Sequence, residues 1–331
     1  MPARLREIAG SSTPAVGLGC MNLSYGYGNP APRKVAERVL LTALDLGISH
    51  FDTAALYGFG HNEELLGSVL KPQRERIMLA SKCGMRGVDG KRVIDGHPDM
   101  LRKDIEASLA RLQTEVIDLY YLHRWDRKTP IEESIGFLGQ LVDEGKIRAI
   151  GLSEVSADTL RRAGAVHPIA AVQSEYSLWS RNVEIAVLDA CREVGAAFVA
   201  FAPLARAFLT SVDLDPATFG EGDLRRGWPR FQPPHFAANC ELLPRFRVIA
   251  RSAGATPAQA ALAWVLQQAP HIHVIPGTTS PAHLEEDFGA LDLELSATTV
   301  QALDELINEE TVSGPRYAAA TQAEIDTEEF D

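Results

Sequence analysis

Apolar residues along this chain occur in two alternating textures: short unbroken runs, and longer stretches where they recur every three or four positions. The unbroken runs are AVGLG (15–19), ISHFD (48–52), IMLAS (77–81), IDLYYL (117–122), IRAIGL (147–152), IAAVQS (169–174), AAFVAF (196–201) and HVIPG (273–277). Most lack polar alternation, as expected of strands covered on both faces. The stretches between them keep helical spacing. RKVAERVLLTALDLG aligns Val35, Val39 and Ala43 and stops at Gly47. DMLRKDIEASLARL aligns Leu101, Ile105, Leu109 and Leu112. IEESIGFLGQLVDEG aligns Ile131, Ile135, Leu138 and Val142 and stops at Gly145. A one-sided apolar stripe ended by glycine is the signature of an amphipathic helix.

Alternating strands and helices predict right-handed βαβ units in a parallel α/β sheet. Eight strands predict a closed (β/α)8 TIM barrel spanning 1–315, with an open sheet as the alternative. The spacing breaks once, at 208–238 (LTSVDLDPATFGEGDLRRGWPRFQPPHFAAN), which reads as a long loop on the C-terminal rim where barrels keep their active sites. The acidic tail, 316–331, includes EIDTEEFD, which reads as mobile and solvated. A net charge of −12 over 331 residues argues against nucleic acid or an anionic membrane as the main partner. MPARLREIAG has no apolar signal region, and no apolar run approaches the ~20 residues of a membrane span. Cys20, Cys83, Cys191 and Cys240 lie far apart, which suits free thiols in a reducing cytoplasm. Oligomeric state is not readable.

Candidate chemistry gathers at strand ends. Asp52, Lys82 and His123 each sit at or just beyond the end of the second, third and fourth strand, with Tyr57 on the loop after the second. Neighbouring strands lie about 5 Å apart, so these groups can converge. Singly, each has an ordinary explanation: a turn carboxylate, a snorkelling lysine, a core histidine, a packed tyrosine. Together they make a proton-donor assembly. A phenol with a pKa near 10 is a weak acid, and a lysine cation beside it favours the phenolate. Asp52 would keep Lys82 charged, while His123 would donate to a substrate oxygen or relay a proton. GLGCMN (17–22) lacks the third glycine and the helix of a dinucleotide fingerprint. His271 and His273 have no evident third ligand, so no metal is expected, and Cys83, facing opposite to Lys82, reads as packing.

With FDTA and LYG, SKCG, YLHRWD, IGLSE, VQSEYSLWSR and FAPLARAFL in this order, the chain resembles the aldo-keto reductases over nearly its whole length. The resemblance implies a catalytic tetrad of Asp52, Tyr57, Lys82 and His123 and an oxidoreductase passing hydride between NADP(H) and a small carbonyl or alcohol substrate. It implies cofactor contacts at Gly19 and Met21, at Ser153 and Gln173 on the nicotinamide carboxamide, and at Phe201 stacked on the ring. Pro203, Leu204 and Arg206 would border the pyrophosphate. Gly277, Thr278 and His283 would meet the 2′-phosphate, and Glu286 and Asp287 the adenine. Tyr25 and Trp125, on rim loops, are the substrate-pocket candidates. Departures are Glu154 where many relatives have Asn, alanines 205 and 207 where glycines are common, and PGTTSP without the Lys or Arg often set against the 2′-phosphate. The alanines imply a loop with less backbone freedom. The last departure implies that NAD(H) is tolerated. The competing readings are a Schiff-base aldolase using Lys82 and a nucleotide-sensing regulatory subunit of the same fold.

Overall fold

The computed structural model describes residues 5–88 and 91–330. Eight parallel strands follow one another around a single sheet in chain order. They are β1 Leu18–Gly19, β2 His50–Asp52, β3 Met78–Cys83, β4 Ile117–Leu122, β5 Ile147–Ser153, β6 Ile169–Glu175, β7 Ala197–Phe201 and β8 Ile272–Val274. The sheet closes on itself. Val16 bridges Val274 in parallel, Gly17 N donates to Val274 O at 2.9 Å, and Val274 N donates to Ala15 O at 2.8 Å. All eight coincide with the unbroken apolar runs, because a barrel strand is covered inside by its opposite strands and outside by helices.

Alternation within each strand sorts its residues between two cores. Met78, Ala80, Leu119, Tyr121, Ala171, Ala197 and Val199 fill the barrel interior, whereas Leu79, Cys83, Tyr120 and Leu122 pack outward against helices. Lys82 shares the parity of Met78 and Ala80 and therefore points inward; Cys83 points outward and is buried. Tyr121 fits inside because β5 offers a glycine: a Cβ on Gly151 would lie 2.3 Å from its ring.

The helical stripes fold as their spacing predicts, over Arg33–Asp45, Pro98–Leu112 and Ile131–Asp143. In the last of these, Ile131, Ile135 and Leu138 are fully buried, each contributing about 1.5–3 kcal/mol by leaving water. An antiparallel hairpin, Leu5–Ile8 with Ser11–Pro14, caps the N-terminal mouth of the barrel. Its Ile8 joins the interior core, and its Arg6 donates to the carbonyls of Leu266, Ala269 and Ile272.

Two segments shape the opposite rim. Residues 208–238 contain short turns of 3-10 helix and an aromatic cluster in which Phe231 meets Trp228, Phe219, Phe236 and Trp179. Leu224 N of this segment donates to Gly26 O at 2.9 Å and ties it to the loop after β1. The acidic tail does not hang in solvent as its composition predicts. Ile325 and Thr327 are buried. Asp326 Oδ2 accepts from Ser156 Oγ at 2.8 Å and Thr159 Oγ1 at 2.6 Å, and Glu328 Oε1 accepts from Ala157 N at 2.8 Å. These carboxylates sit at the N-terminus of the helix Ala157–Val166, where unpaired N–H groups and the helix dipole favour negative charge. No helix among the described residues is long and apolar enough to cross a membrane.

Candidate active site

Three strand ends and one turn bring the ionisable groups together. Lys82 has no solvent exposure and spends its ammonium protons on three acceptors: Asp52 Oδ1 at 2.5 Å, Thr53 O at 2.8 Å and Tyr57 Oη at 3.2 Å. Asp52 is equally constrained, since its second oxygen accepts from Gln173 Nε2 at 2.7 Å. Tyr57 opens a 3-10 turn, Tyr57–Gly60. Its ring meets the His123 ring edge-on, with centroids 6.0 Å apart. Because Lys82 donates to the phenol oxygen, the phenol's own proton is left to point elsewhere.

Electrostatics sharpen these assignments. Burial opposes the Lys82 charge, but Asp52 and Tyr57 outweigh it and hold the ammonium above its ordinary value. Burial pushes the Tyr57 phenol up, and the Lys82 cation offsets this only in part. The sequence predicts a net lowering; desolvation, which motifs do not reveal, wins instead. Burial, helped by Arg124 and Lys82, drives the His123 imidazole well below its usual value, so it is neutral at pH 7. His123 Nδ1 has no partner among the described residues.

Tyr57 and His123 form one end of a cavity of about 370 Å³ along the C-terminal rim. Asp52, Gly19, Met21, Tyr25, Ser153, Gln173, Phe201, Pro203, Leu204, Arg206, Gly277, Thr278, His283, Glu286 and Asp287 all line it. Lys82 lies beneath, behind Asp52 and Tyr57. Trp125 does not line it. Asp126 Oδ1 accepts from Lys128 N and Thr129 N, and this tight turn carries Trp125 outward, where its indole donates to Thr129 O at 2.8 Å and Arg162 stacks over the ring. The neighbouring residue, Arg124, takes the place in the wall.

The loop after β7 departs from ordinary backbone. Ala202, Ala205, Arg206 and Ala207 hold φ of +48°, +48°, +58° and +74°, a region costing about 1–2 kcal/mol per L-residue. A buried ion network braces them. Arg206 donates to both Glu175 oxygens at 2.5 and 2.7 Å and to Tyr317 Oη at 3.1 Å, while Trp228 covers it, the guanidinium carbon lying 4.0 Å from the ring centre. Arg316 bonds both Glu175 and Glu154. Burial opposes the Glu175 charge, but Arg206 and Arg316 prevail and hold its carboxyl well below the carboxylate range. The Arg206 guanidinium is thus committed to Glu175.

At the far end, β8 leads into the helix Pro281–Phe288, whose Ser280 cap accepts from His283 N at 3.4 Å. Gly277 allows a close crossing, since a Cβ there would meet Gly19 O and Asn22 Oδ1, each at 2.9 Å. Burial and the neighbouring Glu286 push the Asp287 carboxyl up to about 8. Among the described residues no cluster of three or more His, Cys, Asp or Glu is placed to hold a metal. Sequence reasoning missed the walls supplied by Leu56, Met85, Arg92 and Arg124, and by Tyr317, Thr321 and Glu324 of the tail. Arg124 was findable beside His123; the tail residues, nearly 200 positions away from it, carry no local signal.

Comparison with known proteins gives the family of the chain. The Aldo/keto reductase family model matches residues 15–308. The chain is 43% identical over 327 residues to the aldo-keto reductase yakc [NADP(+)] of Schizosaccharomyces pombe, covering 97% of this chain and 96% of that one. It is 42% identical to the probable aldo-keto reductase 1 of Glycine max, covering 91% and 88%. The glycerol dehydrogenase AKR11B4 from Gluconobacter oxydans superposes with a TM-score of 0.86 at 32% identity, covering 95% of this chain and 98% of that one. A Klebsiella pneumoniae aldo/keto reductase, solved with NADP and acetate, superposes with a TM-score of 0.72 at 27% identity, covering 95% and 99%. The chain belongs to the aldo/keto reductase family of oxidoreductases.

Proposed function

We propose that this protein reduces the carbonyl group of a small aldehyde or ketone, and oxidises the corresponding alcohol, with NADP(H) as hydride carrier and Tyr57 as proton donor. The observation that carries the reading is the single ammonium, Lys82, bonded to Asp52, Thr53 O and Tyr57 at once. In the reducing direction Tyr57 gives its proton to the carbonyl oxygen, and Lys82 stabilises the phenolate left behind. Neutral His123 orients the same oxygen by hydrogen bonding. Asp52 keeps Lys82 charged and, through Gln173, ties the tetrad to the cavity's middle.

The residues present fit a dinucleotide: one cavity lined both by Tyr57 and His123 and by Gly277, Thr278, His283, Glu286 and Asp287, a glycine crossing at Gly19 and Gly277, and the N-terminus of the helix Pro281–Phe288. Ser153 and Gln173 would hold the carboxamide and Phe201 the ring face. The 203–206 backbone would border the pyrophosphate, and Thr278, His283, Glu286 and Asp287 the adenosine. When bound, the reduced nicotinamide supplies the hydride. The Klebsiella pneumoniae relative holds NADP in its crystal, and the fission-yeast relative is named for NADP(+); both favour that cofactor. Segment 277–287 (GTTSPAHLEED) carries no Lys or Arg, which favours tolerance of NADH. The test is Tyr57→Phe with a panel of aldehydes and ketones. Turnover is expected to fall at least ~100-fold while fluorescence titration shows NADPH still bound; turnover at the wild-type rate removes Tyr57 as the acid. A borohydride-trapped substrate adduct on Lys82 would instead establish a Schiff-base aldolase.

A further inference from the structure

Among the described residues three arginines line the cavity, and two are held in ion pairs: Arg206 with Glu175, and Arg92 with Glu324. Arg124 is not. Its Nη1 donates to His123 O at 2.6 Å and to Ser153 Oγ at 3.0 Å, both uncharged acceptors. Among the described residues no carboxylate lies within ion-pair distance of it and its Nε and Nη2 make no bond to protein; the buried Glu154 carboxylate feels its charge but is itself paired with Arg316. Building on the carbonyl-reductase reading, we propose that Arg124 is a substrate-anion site, and that the preferred carbonyl substrates carry a carboxylate.

The placement has physical logic. A guanidinium fixed through one nitrogen presents the remaining edge, Nε and Nη2, as a planar fork matched to two carboxylate oxygens. A phosphate dianion would call for further cationic partners, and Arg92 and Arg206 are spent on protein carboxylates. Arg124 directly follows His123 in the chain, so the anion sits beside the carbonyl-orienting imidazole. The wall nearby is apolar at Leu56 and Met85, which strengthens a charge–charge contact by excluding water. In a protein of net charge −12 a free anion is otherwise repelled. A local cation with no direct ion-pair partner among the described residues therefore selects for a carboxylate at this position.

The experiment compares matched pairs: 4-carboxybenzaldehyde with its methyl ester, and succinic semialdehyde with butanal, each with NADPH and with NADH. In the wild type kcat/KM for the carboxylate member should exceed that for its neutral partner by about tenfold or more, the range of a charge-assisted pair. The preference should shrink as salt is raised. Arg124→Gln should collapse the ratio towards one, and Arg124→Lys should retain part of it, with NADPH affinity unchanged in both. A wild-type ratio of one or below overturns the proposal. So does an Arg124→Gln variant that slows both members equally and weakens NADPH binding, which would assign Arg124 to holding Ser153. Absence of turnover for every member with either dinucleotide defeats the underlying carbonyl-reductase reading too, and so is told apart from a loss of preference alone.

Discussion

Replacing Asp52 with asparagine removes one charge and almost no volume, and isolates what the buried ion pair does. Asp52 and Lys82 have side-chain exposures of 3% and 0%, so solvent screening gives little relief. In Asp52→Asn the Lys82 ammonium keeps Thr53 O and Tyr57 Oη as acceptors but loses its counter-charge. Stranding one member of a buried pair costs about 3–5 kcal/mol. Part of this is avoided if the lysine sheds its proton. The two proteins should then differ in the sign of their pH dependence. In the wild type Lys82 is held above its ordinary value, so its contribution is complete below the unfolded pKa near 10.4 and is lost as pH rises through the folded value. In the variant desolvation is opposed by Tyr57 without Asp52, and the folded pKa falls below the unfolded one. The folded state then binds fewer protons, and stability rises as pH is raised towards 10. Urea unfolding between pH 6 and 10 shows the rising slope of the variant, whereas the Lys82 contribution in the wild type stays flat over that range. At pH 7 the melting temperature should drop by about 5–10 °C, taking roughly 2 °C per kcal/mol for a chain this long. Turnover should fall by at least ~100-fold, since a neutral amine no longer stabilises the Tyr57 phenolate. A variant that melts with the wild type, shows the same pH slope and turns over normally would refute the reasoning.

Other consequences are separately measurable. Asp287 has a carboxyl pushed up to about 8, so the folded state holds a proton that the unfolded chain releases near 3.9, and stability falls as pH rises from about 4 to 8. Asp287→Asn should therefore out-melt the wild type at pH 8–9, with the gap closing towards pH 4; a constant gap across that range counts against it. Arg316→Met leaves Glu154 and Glu175 with less counter-charge, costing about 3–5 kcal/mol, and should make residues 316–330 sensitive to limited proteolysis; unchanged digestion and melting would show that the network is dispensable. Thr279 is exposed beside Thr278 of the cavity wall, and under the proposed cofactor placement Thr279→Arg should tighten NADPH binding about tenfold while leaving NADH unchanged; equal gains for both would place the added charge away from the 2′-phosphate.

Much of this architecture is legible in the chain itself. Eight apolar runs read as strands because closing a barrel buries both faces, and that same closure fixes Asp52, Lys82 and His123 at adjacent strand ends. What stays hidden depends on contacts far apart in sequence. Arg124 and Trp125 are neighbours on one loop, and the turn at Asp126, rather than residue type, decides which faces the cavity. An acidic composition predicts a solvated tail, yet its carboxylates meet the unpaired N–H groups of a helix about 170 positions earlier. The Tyr57 phenol goes against expectation for a similar reason: motifs reveal its lysine neighbour but not the burial that outweighs it. Alanines at 205 and 207 predict a restricted backbone, yet the loop adopts left-handed angles at both, braced by ion pairs that no local pattern announces.

The late wall of the cavity has a consequence for how the enzyme comes into being. During synthesis the barrel strands and the Asp52–Tyr57–Lys82–His123 cluster emerge well before Tyr317, Thr321 and Glu324, so a nascent chain that has folded through β8 holds that cluster in an unroofed trough. Glu175 and Glu154 are still without Arg316 at that stage, and the left-handed loop lacks one of its braces. Competence to bind and discriminate ligands therefore waits on residues translated after the barrel strands. Tags or fusions that tug on this segment should impair selectivity before they impair folding.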